Sequence, residues 1–229
     1  MIDLGALKAV VFDVDFTIGK PGPLLGGEGY RFAGARRGLE LDPARYAEAR
    51  AAAMDALERH PELEHDEAIW IRFTEEVIRA MGGSGPAVSE LAVEIVRAWE
   101  HSENFELYDD VPPVLRELRR HGLRIGLLSN TGHGRLERLV SAYSLDVDAV
   151  LTSGTHGKTK PSPSIFAAML ELLGVLAAEA VMIGDMVADD VEGALAAGMH
   201  AILLDREGRH PEHPGALSSL FELPAALGF

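Results

Sequence analysis

The chain has 229 residues, 47% of them apolar and 25% charged, enough for one large domain or for a domain with a smaller one inserted. Asp and Glu number 36 against 21 Lys and Arg, a formal net charge of −15. That balance excludes nucleic acid and anionic membrane as main partners, since both require a basic face. Cysteine is absent, so there is no disulfide framework, thiol nucleophile or thiolate zinc site. No apolar run nears the roughly 18 residues of a membrane span. The opening Met1-Ile2-Asp3-Leu4 lacks the basic and apolar regions of a secretory leader, and the expectation is a cytoplasmic protein.

The first predicted element is a strand over 8–12, where Ala9-Val10-Val11-Phe12 runs into Asp13. The Gly/Pro-rich stretch from Gly19 to Gly29 reads as non-helical. A helical block follows. Asp42-Pro43 predicts an N-cap and first turn for an Ala-rich helix running towards His60. A second helix is predicted over about Asp66 to Met81, with Ile69, Trp70, Phe73, Val77 and Ile78 at core spacing. A third begins near Pro86 and carries Leu91, Ile95, Val96 and Trp99. No strand-like run interrupts them.

From Asp110 onward, helices and strands alternate. Helix 111–121 precedes strand 124–128, helix 135–143 precedes strand 148–151, and helix 163–173 precedes strand 180–183. Helix 190–197 then leads to strand 200–204, and a short amphipathic segment lies around Leu220–Leu227. This rhythm predicts an α/β fold, a Rossmann-like parallel sheet flanked by helices, with an all-helical domain inserted after strand one. The expected boundaries are 1–18 with 108–229 for the core and 19–107 for the insertion.

Ligands of open parallel sheets bind beyond the carboxyl ends of the strands. Strand one is followed by Asp13-Val14-Asp15-Phe16-Thr17, another ends in Ser129-Asn130-Thr131, and a third in Gly184-Asp185 with Asp189-Asp190 close behind. Lys160-Pro161 stands before helix 163–173. Two carboxylates about 4 Å apart repel by roughly 4 kcal/mol at an effective dielectric of 20. Such a cluster calls for a cation, and its hard oxygens suit Mg²⁺. Asp13 and Asp15 lie two apart on an extended segment, so their side chains are expected to share a general orientation. One can hold metal and face substrate while the other serves as acid or base. Ser129 and nearby backbone N–H groups would bind phosphate oxygens, with Lys160 balancing charge.

In order and spacing, Asp13-Val-Asp-Phe-Thr17, Ser129-Asn-Thr, Lys160-Pro161 and Gly184-Asp185-x-x-x-Asp189-Asp190 resemble the four motifs of the haloacid dehalogenase-like hydrolases. The resemblance covers about residues 6–18 and 108–205, and the insertion falls where that superfamily places its first type of cap domain. It implies Asp13 as nucleophile forming an aspartyl-phosphate, and Asp15 as general acid and then base. Thr17, Ser129, Asn130 and Lys160 would bind the phosphoryl group. Mg²⁺ would be held by Asp13, Asp185 and the Asp15 backbone carbonyl, with Asp189 or Asp190 orienting its waters or Lys160. The implied activity is hydrolysis of a small phosphorylated metabolite. A phosphotransferase or mutase, or a non-catalytic binding protein of the same fold, are the alternatives. A dehalogenase fits less well, because dehalogenases of that superfamily lack an acid at the Asp15 position. Phe16 departs from the family's usual Gly, and a positive φ there would strain it.

Other features have plainer readings. Lys158 lacks the flanking sequence of Lys160. His133 and His156 sit on loops after strand ends, at a possible pocket mouth. His210 and His213 belong to a surface loop, and Arg31, Arg36 and Arg37 to solvated surface. Substrate identity and oligomeric state carry no readable signal.

Overall fold

The computed structural model describes residues 7–58, 67–99, 101–132 and 134–229. His60, Asp66 and His133, named above, lie outside them. The chain divides into two compact units, one joining the stretch up to Lys20 with Leu107–Phe229, the other formed by Pro21–Glu106. Among the described residues no helix is long and apolar enough to cross a membrane.

The first unit is built on β1 (Ala9–Phe12). Where the chain passes from this unit to the other and back come β2 (Gly19–Pro21) and β3 (Phe105–Leu107), which pair with each other. These three-residue strands were not expected from the sequence, and are too short to leave an alternating pattern. Then come α5 (Val111–Arg120), β4 (Arg124–Ser129), α6 (Arg135–Tyr143), β5 (Ala149–Thr152) and the single-turn α7 (Ser153–His156). They are followed by α8 (Pro163–Leu173), β6 (Ala180–Gly184), α9 (Gly193–Ala196), β7 (His200–Leu203) and α10 (Leu223–Ala226).

Five strands form one parallel sheet in the order β5-β4-β1-β6-β7. β1 lies at its centre, Ala9 registering with Arg124 on one side and Ala180 on the other. All four β1 residues are fully buried, so both sheet faces are covered. One face packs Ala9, Val11, Leu128 and Met182 against Ile165, Phe166 and Met169 of α8. This continuous apolar packing is the main stabilising term of the unit.

In the second unit the helices are α1 (Gly27–Ala35), α2 (Tyr46–Glu58), α3 (Glu67–Ala80) and α4 (Ala87–Trp99). Here α1 corrects the reading of the glycine-rich stretch as non-helical. Gly29 permits it, because a Cβ there would lie 2.1 Å from the Leu24 carbonyl oxygen. Asp42 accepts from the Ala44 N–H as predicted, but the turn it caps is a 3₁₀ segment, Pro43–Arg45, ahead of α2. Ile69, Val77, Ile78, Leu91 and Ile95 are buried, whereas Trp70 and Phe73 are half-buried and pack edge to face. Arg31 pairs with Glu28, and Arg36 and Arg37 with Glu94, so each of these arginines has a carboxylate within its own unit.

Candidate active site

Because β4, β1 and β6 are adjacent and parallel, their carboxyl ends deliver Ser129, Asp13 and Asp185 to one edge of the sheet. The connections from β1 and from β6 leave in opposite directions, and this is where such sheets open a crevice. Asp13 is anchored by its N–H, which donates to the Ile183 carbonyl.

Lys160 is the hub. Its ammonium, 3% exposed, donates to Asp13 Oδ1 at 2.5 Å and to Asp190 Oδ1 at 2.6 Å. Asn130 fixes the backbone that carries it, accepting from Lys160 N–H at 2.7 Å and donating to the Lys160 carbonyl at 3.1 Å. The same Asn130 amide donates to Asp189 at 3.2 Å. Lys158, by contrast, is exposed. The helix expected over 190–197 is a π-helical turn over Val187–Glu192 running into α9. Extra turns of this kind favour functional sites. This one sends Asp189 towards Asn130 and Asp190 towards Lys160, with Asp190 Oδ2 also accepting from the Met186 N–H.

Burial first, then the Asp190 and Asp15 charges, push the Asp13 carboxyl up to about 7 against the pull of Lys160. Asp190 is raised as well, chiefly by burial. Burial disfavours the Lys160 charge, but the two carboxylates outweigh it and keep the ammonium protonated. Asp13, Asp185 and Asp190 offer oxygens within 4.8 Å of one another. Three buried carboxylates, facing the Lys160 ammonium and the Arg209 guanidinium 4.0 Å from Asp185, are a donor set of the hard oxygens that fit a dication.

Asp13 and Asp15 meet different cations. Asp15 meets Arg135, whose Nη1 donates to Oδ2 at 3.0 Å and whose Nη2 donates to Oδ1. The chain turns sharply after Asp15, because Phe16 takes the left-handed conformation, φ +64, with its N–H on the Gly19 carbonyl. Such a backbone costs a non-glycine residue roughly 1–2 kcal/mol. Thr17, expected to contact substrate, is fully buried, and its hydroxyl has no hydrogen-bond partner among the described residues. Its carbonyl accepts from Arg206 Nε and Nη2, at 3.2 and 2.9 Å. The Arg206 guanidinium also grips both oxygens of buried Asp110 and lies 3.8 Å from the Tyr108 ring centroid. Ser129 is buried, and His156 bonds Ser164.

Sequence reading missed three arginines here: Arg135, Arg206 and Arg209, the last 4.0 Å from Asp185 Oδ2. Two signals were available. A cation opening a helix, as at Arg135, opposes the helix dipole and asks for an anion. Asp205-Arg206 follows β7, the strand end whose polar residues were left unread.

Gly184 shows how tightly the site is built, since a Cβ there would lie 2.1 Å from Asp190 Oδ2. Gly184→Ala is expected to displace that carboxylate from Lys160 and to cost about 3 kcal/mol in urea unfolding. A variant as stable as the wild type would contradict this packing.

A family model for haloacid dehalogenase-like hydrolases matches residues 7–198. N-acylneuraminate-9-phosphatase of Mus musculus is 34% identical over 163 residues, covering 67% of this chain and 65% of its own length. Phosphoserine phosphatase of Thermus thermophilus is 36% identical over 151 residues, covering 65% and 59%. The chain therefore spans less than two thirds of these curated relatives. A solved HAD phosphatase from Thermococcus onnurineus superposes with a TM-score of 0.60 at 26% identity, over 97% of this chain and 98% of that one.

Proposed function

The chain belongs to the haloacid dehalogenase-like hydrolases, and from that premise we propose that it hydrolyses a small phosphomonoester through an aspartyl-phosphate on Asp13. The observation that carries the reading is Asp13 at the end of the central strand, bonded to a buried lysine and beside a second buried carboxylate, Asp185. Lys160 occupies Oδ1, leaving Oδ2 as the oxygen clear of the ammonium. Oδ2 attacks phosphorus as the bond to the leaving oxygen breaks, and Asp15 supplies that oxygen's proton. Water then attacks the acyl phosphate, giving its proton to Asp15 and freeing Asp13 and inorganic phosphate. Ser129 is assigned to the phosphoryl oxygens. Asn130 is assigned to holding Lys160 in register, which accords with its two bonds to the Lys160 backbone.

We assign Mg²⁺ to Asp13, Asp185 and the Asp15 carbonyl. Asp190 is left to Lys160, because both its oxygens already accept from Lys160 and Met186. When bound, the ion would supply neutralisation of phosphate charge. The helical unit is assigned the part of the cap, since it is inserted directly after the first motif.

The test is phosphate release from a panel with and without Mg²⁺. It includes p-nitrophenyl phosphate, sugar phosphates, phosphoserine and acylneuraminate 9-phosphate, the last two because relatives are named for them. We expect release with Mg²⁺ and none after chelation. Isomerisation of a phosphosugar without release would instead identify a mutase, and inertness towards the whole panel would remove the phosphatase reading.

A further inference from the structure

Arg135 has no part in the chemistry above. Its side chain is 6% exposed and opens α6, where the helix's partial positive charge disfavours a cation. A guanidinium keeps its charge when buried, so its position must be justified by an anion. It meets Asp15 edge to edge, one N–H group on each carboxylate oxygen. A single bond would leave the carboxylate free to rotate, whereas the planar fork fixes it. The guanidinium favours the ionised carboxylate, but the fork takes only one of about two lone-pair sites on each oxygen, and a remaining site takes up from solvent the proton that Asp15 hands on. Asp15 stands outside the Asp13–Asp185–Asp190 cluster, and its side chain is 27% exposed, so it keeps an open side.

We propose that Arg135 is the positioning residue for Asp15, fixing the direction in which its carboxyl hands a proton to the leaving oxygen. The inference rests on the phosphomonoester reading. It goes beyond it by making leaving-group protonation depend on a residue outside the four motifs. As the Asp13–phosphorus bond forms, the phosphorus–oxygen bond breaks and the Asp15 proton passes to the departing oxygen. Losing the fork therefore slows most those substrates that need this proton, whereas any effect on the later attack of water, in which Asp15 is the base, is common to all substrates.

Two aryl esters of nearly the same shape separate the possibilities. p-Nitrophenolate leaves readily without a proton; phenolate, more basic, does not. In the full chain with Mg²⁺, Arg135→Gln is expected to lose about 100-fold in kcat on phenyl phosphate. On p-nitrophenyl phosphate it should lose less than about tenfold, with KM little changed on either. Arg135→Lys, a point charge unable to grip both oxygens in a plane, should fall between the two. Should Arg135→Gln fail to fold, Arg135→Lys carries the same comparison. Equal losses on both esters would mean that Arg135 does not act through leaving-group protonation, and a loss confined to KM would make it a phosphate ligand. Either result overturns the proposal. A wild type inert to both esters and to the panel removes the phosphatase reading and this inference with it, a failure visible before any variant is made.

Discussion

Asp13→Asn is expected to abolish phosphate release, by on the order of 10⁴- to 10⁶-fold in kcat, while leaving a folded and more robust protein. The two effects have one cause. In the metal-free protein the Asp13 carboxyl titrates near 7, well above its unfolded value of 3.8. Between those values the folded state holds a proton that the unfolded state has released, so stability falls as pH rises from about 4 towards 7. Asparagine never acquires the charge. Melting temperatures in chelator between pH 5 and 8 should decline for the wild type and stay flatter for the variant. Residual activity above about 1% would deny Asp13 its role as nucleophile, and parallel melting curves would deny the origin assigned to its raised pKa.

Lys160→Met has the opposite profile. It leaves Asp13 and Asp190 facing each other without the ammonium that both bind. Removing one partner of a buried ionic group typically costs 3–5 kcal/mol, and we expect about that loss in urea unfolding at pH 8, with no phosphate release. At pH 5 the loss should shrink, because the orphaned carboxylates take up protons. A penalty independent of pH would mean that Lys160 contributes by packing alone. Lys160→Arg is not expected to rescue, since a planar fork cannot replace a compact ammonium held between two carboxylates.

Much of this fold was legible because its signals are local. Apolar runs of four to six residues, each ending in a polar side chain, marked β1, β4 and β6. The boundaries of α6 and α8 fall where the helical pattern placed them, α8 closing on a left-handed Gly174. What escaped depends on distance. Nothing near Arg135 or Arg206 in sequence says that their partners are Asp15 and Asp110, 120 and 96 positions away. α1 escaped because Gly29, which argues against helix locally, is required by the approach of Leu24. The π turn escaped because its register answers to Lys160 and Asn130, not to its own six residues. Phe16 was half legible: sequence showed the unusual residue, and structure supplied the left-handed backbone that makes it costly.

The central place of β1 has a consequence for how the protein is made. Its neighbours in the sheet, β4 and β6, are synthesised more than a hundred residues after it. Lys160 reaches Asp13 across 147 positions, and Arg206 reaches the Thr17 carbonyl across 189. A nascent chain that has emerged only as far as the helical unit therefore carries Asp13 next to a strand with no partner. Closing loops of this length is entropically slow, and apolar β1 must wait through it. Chaperone dependence during translation should thus concentrate on β1, and the site comes into being only as the segment after β7 leaves the ribosome.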